Sequence, residues 1–407
     1  MSSRRDTFSD LVQPSSSSGT TRQQTTATRP SPLVFKHISS PMIDVPDEAD
    51  NTPVSQCTRH SDLWFYDGSL ICRAERTLFK VHMSVLERHS MFFRDMFSMS
   101  QPKTGSTDMI SNQGLEDDMD KLPIVDLHDA AEDVGNLLSA VYDGPTFGNN
   151  NQEDFLVVSG VLRLSTKYLI DSLRTKALAH LSKAWPTSLK EWDAREDLAR
   201  THETDLTNAS HLYPHPIAVI NLAREVDAPS LLPAAFYDLS RYSFSHIFEP
   251  TEEDQTYRPL PPAPSTLSNA DLERLCLGKE ASQHAITSLI TAMGSSQNVR
   301  STQLTASHSR RVSHTAVCVS AAACRKDFSE LVALATQHYL FDRERGCYDP
   351  LYVAEELGQL KSAEFSECKA CARSLEAWAA REREKMWKSI PIWFRLDHSG
   401  DTSPRLC

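Results

Sequence analysis

A close succession of strand and helix patterns over residues 62–97 most constrains what this chain can fold into. Short runs rich in β-branched and aromatic residues, each bounded by turn residues, predict three strands. The predicted strands cover 63–66, 70–75 and 77–81. His82 begins a short helix, and Ser90 is the predicted N-cap of a second helix whose large apolar residues share one face.

The mixed pattern resumes after a polar stretch at 98–121, which we interpret as a flexible loop. A fourth strand is predicted at 122–127. Apolar residues at helical spacing then predict three helices as far as residue 181. A small sheet with helices packed on it is an α+β arrangement, and we expect one such domain over 58–185.

The segments on both sides of this domain differ in composition. Fourteen of the first 31 residues are Ser or Thr and prolines recur without periodicity, so a disordered arm is predicted at 1–57. Residues 186–396 show mostly helical spacing, with a Pro-rich linker at 249–264, and a tail follows at 397–407. Within this half, helices are predicted at 217–226, 231–236, 325–345 and 351–388, and one more begins after the N-cap Ser268. Residues 190–210 are predicted to be a solvated helix or loop, and residues 294–311 a mobile stretch.

Length and charge exclude several classes of protein. The 407 residues suggest two to three domains, and the net charge of −12 argues against direct nucleic-acid binding, which needs a basic face. The sequence has no run of 18 apolar residues, so no membrane span is predicted, and its polar start is unlike a secretory signal. We therefore expect reduced cysteines and a cytoplasmic or nuclear location.

Motifs for catalysis are missing from the sequence. No phosphate loop, dinucleotide fingerprint, H-E-x-x-H or G-x-S-x-G pattern occurs, and the chain has only 13 glycines. We predict no catalytic residues, no cofactor and a role other than that of an enzyme.

The order of strands and helices resembles the BTB/POZ domain over residues 62–181. The residues that carry the resemblance are Asp62-Leu63-Trp64, Thr77 to His82 with Val85-Leu86, Ser90 to Phe97, Ile124 to Leu127 and Ala140 to Gly144. Phe97 to Pro102 is similar to the expanded fungal, basidiomycete-type members. So are Asn269 to Leu275 with Gly278, the cysteines Cys318, Cys324, Cys368 and Cys371, and Trp387 with Ile390 to Phe394.

The resemblance implies a non-catalytic protein that homodimerises and recruits partners. It implies two finer roles: substrate adaptor of a cullin ubiquitin ligase, or nuclear corepressor-type scaffold that binds a transcriptional regulator. The residues implied at the dimer interface or partner groove are Asp62, Leu63, Trp64, Phe92, Phe93, Met96 and Phe97. Cullin-binding members often carry a hydrophobic-x-Glu element after the Phe-rich helix, whereas here Glu116 has Gly114 two residues before it.

Two of these predictions have a plain structural alternative. The resemblance places Asp62 in a charged pocket with Arg73, Arg76 or Lys80 as candidate partner, and the alternative is an ordinary aspartate at a strand start. Four large apolar residues on a two-turn helix are more often core than surface, so we expect the set Phe92, Phe93, Met96 and Phe97 to divide between the two.

His82 and the C-terminal cysteines are the remaining candidates. We expect His82 to be a structural histidine rather than a titrating switch. Cys318, Cys324, Cys368 and Cys371 are weak zinc candidates, since 43 residues lie between the two pairs and five residues lie between the two cysteines of the first pair. His314, His338 and Cys347 could contribute instead. Packing of the cysteines between helices is the favoured interpretation, with a zinc-binding protein or enzyme as the alternative.

Overall fold

The structure is a computed structural model, and it describes residues 56–99, 122–205, 212–248, 266–294, 318, 320–340, 347–360 and 368–397. These residues belong to one compact unit. The predictions for the N-terminal arm, the loop at 98–121, the Pro-rich linker, the stretch at 294–311 and the tail fall almost wholly outside them.

Four short strands form a mixed sheet in the order β1-β3-β2-β4. The strands are β1 (Thr58–Trp64), β2 (Leu70–Ala74), β3 (Thr77–Val81) and β4 (Ile124–Leu127). β2 and β3 are an antiparallel hairpin, β1 is parallel to β3, and β4 is parallel to β2. β1 begins five residues before the predicted start at Leu63, because the polar residues ahead of Asp62 pair through their backbone and the His60 ring packs on Phe79.

Five helices accompany this sheet, and they confirm the predicted α+β arrangement. They are α1 (Met83–His89), α2 (Met91–Ser98), α3 (Ala131–Tyr142), α4 (Gln152–Lys167) and α5 (Asp171–Leu181). Ser90 is the N-cap of α2, since its hydroxyl accepts a hydrogen bond from the Phe93 N–H at 3.0 Å.

α4 and α5 contribute side chains to two different apolar cores. One set of their residues packs with the sheet and α3: Val161, Leu164 and Leu173. Another set packs with the helices that follow: Phe155, Val158, Leu162, Ala177 and Leu181. On α4 the two sets lie on different faces, and along α5 the contact passes from the first core at Leu173 to the second at Ala177 and Leu181, so this helix pair joins the two halves of the chain.

The second half is an assembly of helices. They are α6 (Leu189–Asp205), α7 (Pro216–Glu225), α8 (Leu232–Ser240), α9 (Phe244–Phe248), α10 (Asn269–Gly294), α11 (Ala321–Ala335), α12 (Pro350–Gln359) and α13 (Lys369–Trp393). None of the helices within the described residues is long and apolar enough to cross a bilayer.

Two predictions for this half need correction. The predicted helix at 351–388 is two helices, because α12 ends at Gln359 and α13 begins at Lys369. The stretch at 190–210 is not merely solvated: α6 buries Trp192 and Arg195 against the helical core. Charge along α6 hides this buried face, since six of its first nine residues are Lys, Arg, Asp or Glu.

A buried network of charged side chains connects α6, α8 and the start of α12. Arg195 donates hydrogen bonds to Glu196 at 2.6 Å and to Asp238 at 2.5 Å. Arg241 donates to Asp238, to Glu196 at 2.7 Å and to Asp349 at 3.4 Å. Because charges removed from water are costly unless they are paired, each partner depends on the others.

Aromatic rings enclose this network. The Arg195 guanidinium lies between the rings of Trp192 and Tyr213, at 4.6 and 4.5 Å from their centroids. Burial raises the pKa of the Tyr237 hydroxyl, which donates to Asp349 at 2.6 Å. Burial alone would raise the pKa of Asp238, but the adjacent guanidinium groups outweigh it and hold that pKa below its usual value of 3.8.

Replacing Asp238 with Asn is expected to lower the free energy of unfolding by about 3–5 kcal/mol at neutral pH, because two buried guanidinium groups lose a shared counter-charge. The folded-state pKa of Asp238 is lowered, so its contribution is present above the unfolded value of 3.8 and is lost as pH falls through the folded value. Urea unfolding at neutral and acidic pH measures both effects.

Asp197→Asn is the matched control, since Asp197 pairs with Arg200 on the solvent side of the same helix. It should change the free energy of unfolding by no more than about 0.5 kcal/mol. Equal losses for the two variants would contradict a special role for the buried network.

Candidate protein-interaction site

The Phe-rich helix α2 is anchored to the turn between α4 and α5. The Ser90 hydroxyl that caps α2 also donates to the Tyr168 carbonyl at 2.6 Å. The Phe93 ring stacks on that of Tyr168, with centroids 5.0 Å apart, and on that of Phe97 at 5.9 Å. Phe93 is only 2% exposed, so it fixes α2 to the domain and is not free to contact a partner.

The outer side of this anchor is an exposed apolar patch formed by Met91, Phe92 and Leu169. Their side chains are 51%, 40% and 49% exposed. Phe92 lies against Tyr168, with ring centroids 5.4 Å apart, and Leu169 follows Tyr168 in the chain. Leu169 has a φ of +53°, a left-handed conformation that is rare for a leucine and turns the chain sharply between the two helices.

The four large apolar residues of α2 divide between core and surface, as predicted. Phe93 is core, Met96 and Phe97 are partly buried against the domain core, and Phe92 is largely exposed. Met91 and Leu169 are additions that sequence reasoning missed. Its spacing of four from Leu173 predicts that Leu169 lies on the apolar face of a helix, whereas it lies in the turn before α5.

The two apolar residues of β1 that were predicted at the interface also divide between core and surface. Leu63 is 4% exposed and belongs to the core, so its predicted place at an interface is not available in this chain conformation. Trp64 is half-buried at the end of β1, and the Arg59 guanidinium lies 4.8 Å from its ring centroid. β1 is an edge strand among the described residues, which leaves one side of its backbone without a neighbouring strand.

Asp62 does not lie in a charged pocket formed by the described residues. Its carboxylate is exposed and accepts a hydrogen bond from the adjacent Ser61 hydroxyl at 2.8 Å. Two of the candidate partners bind elsewhere, since Arg73 pairs with Asp126 and the Lys80 ammonium donates to the Tyr66 carbonyl at 2.9 Å.

His82 connects the end of β3 to the end of α3. Its backbone N–H donates to the Tyr142 hydroxyl at 2.8 Å, and its Nδ1 lies 2.9 Å from the same oxygen. That hydroxyl can donate its own hydrogen to Nδ1, which leaves Nε2–H to donate to Asp67 at 3.2 Å. These contacts fit a structural role. The His82 ring binds the side chains of Tyr142 and Asp67, whereas we expect the ring of a structural histidine to bind a backbone group.

The four C-terminal cysteines converge on one point. The sulfur atoms of Cys318, Cys324, Cys368 and Cys371 all lie within 4.8 Å of one another. The sequence spacing does not keep the two pairs apart, because the N-terminal ends of α11 and α13 come together across the intervening residues. Burial raises the pKa of the Cys324 thiol to about 11 and also raises that of Cys371. Cys347 and His338, offered as alternative ligands, are not members of this group.

A cleft where α5 meets α6 is a further feature that no motif indicated. It has a volume of about 610 Å³ and is lined by polar groups that include Asn150, His180, Arg195 and Tyr213. Within the described part of the chain, Asn150 Oδ1 and Arg195 Nε have no hydrogen-bond partner. Both atoms are buried, so neither is open to a molecule that occupies the cleft.

Replacing Tyr142 with Phe removes the one hydroxyl that serves both the His82 backbone N–H and its ring. The expected loss in the free energy of unfolding is about 1–3 kcal/mol, since partly buried polar groups are left without partners. Tyr66→Phe is the control, because Tyr66 is 91% exposed. Chemical denaturation of both variants is the measurement, and equal stabilities would contradict the role assigned to Tyr142.

Comparison with known proteins gives one match. The family model of the BTB/POZ domain matches residues 59–184, which span the sheet, α1 to α5 and the residues up to Ala184. No match was found among curated proteins or among solved structures. The BTB/POZ domain is a protein-interaction module. The mixed sheet, the helices packed with it and this match together show that the chain contains a BTB/POZ domain at residues 59–184, which is followed by a mostly helical region.

Proposed function

We propose that this chain is a non-catalytic interaction protein that forms a homodimer through its BTB/POZ domain and presents its helical region to a partner protein. The observation that carries the proposal is the exposed patch of Met91, Phe92 and Leu169. Burial of a large apolar side chain contributes about 1.5–3 kcal/mol, and aromatic and Met side chains are enriched in interface centres.

The anchor beneath the patch supports this role. Phe93, Tyr168 and the Ser90 cap hold α2 rigidly, so an incoming surface meets side chains whose positions are already fixed. Pre-organisation of this kind lowers the entropy cost of association. Met96, Phe97 and Trp64 border the proposed interface as partly buried residues.

Asp62 has a place in the same proposal. Its carboxylate is exposed on edge strand β1. In a symmetric dimer the same surface of each copy meets its counterpart, so a cation from the second copy would pair with this exposed carboxylate. We propose that Asp62 pairs across the dimer.

The two finer roles differ in the partner that the dimer recruits. An adaptor would bind a cullin and hold its client close to the ligase, which raises the client's effective concentration. A corepressor-type scaffold would bind a transcriptional regulator instead. The position of the hydrophobic-x-Glu element falls at 98–121, nearly all of it outside the described residues. Binding of purified cullin to the full chain separates the two: binding supports the adaptor, and no binding at the concentrations that form the dimer supports the scaffold.

The full chain is expected to have twice its monomer mass of 45.6 kDa in light scattering coupled to gel filtration. Phe92→Ser should raise the dimer dissociation constant about 10- to 100-fold, because one large apolar side chain no longer becomes buried. Mass measured over a dilution series gives this constant, and circular dichroism checks that the variant is folded.

Phe248→Ser is the matched control, since Phe248 is 55% exposed on α9 in the helical region. It should leave the dimer unchanged. A wild-type chain that stays monomeric at tens of micromolar, or a dimer weakened by Phe248→Ser and not by Phe92→Ser, would overturn the proposal.

A further inference from the structure

The four converging cysteines have the separations that a tetrahedral metal ion requires. The Cys318 sulfur lies 3.6 Å from that of Cys324 and 3.7 Å from that of Cys371. A tetrahedral Zn²⁺ with Zn–S bonds of about 2.3 Å places its sulfur ligands about 3.8 Å apart. Small shifts of the side chains would bring all four sulfur atoms, now within 4.8 Å, to that distance.

The backbone supplies the ligands in two matching pairs. Cys318 lies two residues before Ser320, the N-cap of α11, and Cys324 lies in the first turn of that helix. Cys368 is the N-cap of α13, and Cys371 lies in its first turn. The five-residue gap of the first pair is therefore no obstacle, because Cys318 reaches back from outside the helix. Two helix N-termini face the sulfur atoms, and their partial positive charge favours thiolates.

Disulfide bonds do not describe this cluster. An S–S bond is about 2.05 Å long, far shorter than the measured separations of 3.6 and 3.7 Å. Packing alone does not require sulfur atoms from two distant segments to meet at one point. Arg325 and Lys369 each follow a ligand directly in the chain, so positive charge is available near a tetrathiolate site, whose net charge with Zn²⁺ is negative.

We propose that Cys318, Cys324, Cys368 and Cys371 bind one structural Zn²⁺ ion that joins the N-terminal ends of α11 and α13. Four thiolates fill the coordination sphere, which distinguishes a structural site from a catalytic one with an open position. Three of the cysteines are buried and the fourth is partly buried, so the ion would be shielded from solvent. Soft sulfur donors in a tetrahedral set favour zinc over magnesium or calcium.

The proposed ion would act on the helical region and not on the dimer. α11 packs on α10 through buried residues such as Phe328 and Leu331, and α13 packs on α12 and α10. The site would tie the N-terminal ends of α11 and α13 to each other. It stands whether or not the BTB/POZ domain dimerises.

The first test is the metal content of the full chain, purified with reductant and without chelator, by inductively coupled plasma mass spectrometry. One zinc per chain is expected. Cys371→Ser should lose most of the zinc, and Cys276→Ser should keep it, because Cys276 is an exposed cysteine on α10 outside the cluster. Replacement of zinc by Co²⁺ should give the strong visible absorption of a tetrahedral thiolate complex.

A second measurement on the wild-type chain guards against a variant that simply fails to fold. Removal of the metal with a chelator should lower the melting temperature, and added Zn²⁺ should restore it, since the ion binds the folded state only. A metal-free chain, iron in place of zinc, or disulfides among these four cysteines in freshly purified protein would each overturn the proposal.

Discussion

The two-faced helix pair α4–α5 is the constraint on which the rest of this structure depends. Val161 and Leu164 face the sheet, while Val158 and Leu162 face the helical region. Neither face can be exposed without loss of apolar burial, so neither half of the chain has a complete core of its own. Trp185, fully buried just after α5, extends the second core across the end of the BTB/POZ domain.

The same helix pair positions the proposed interaction surface. Tyr168 follows α4 directly, and its carbonyl, ring and hydroxyl bind Ser90, Phe93 and Asp129 respectively. The exposed side chain of Phe92 lies on α2, and that of Leu169 lies on the turn after α4. Contacts with Tyr168 fix both segments to the core. In this way the packing that completes the fold also fixes the surface that we propose meets a second copy.

Much of the BTB/POZ domain could be predicted because its signals are local. The alternation and turn residues around β2 and β3, the Ser90 cap and the apolar face of α2 all lie within short windows of sequence. Asp62 could not be placed by such signals, because its surroundings depend on which residues cross the sheet edge. The exposure of Leu169 depends on a left-handed turn, and a leucine at that position does not predict such a turn.

The helical half was harder to predict for the same physical reason. The break between α12 and α13 carries no proline or glycine cluster, and the buried charges of Arg195, Asp238 and Asp349 come from three separate segments. The cysteine cluster likewise forms only when the N-terminal ends of α11 and α13 meet. Long-range contacts decide all three features, and a single sequence does not encode them in a local pattern.

The central claim is that the BTB/POZ domain and the helical region fold as one unit through α4 and α5. Native-state hydrogen exchange of the full chain, followed in urea below the unfolding midpoint, tests it most directly. We expect the slowest amides of β2, β3, α4 and α8 to converge on one free energy of opening. A lower, separate free energy for the amides of residues 59–184, or for those of the helical region, would contradict the claim.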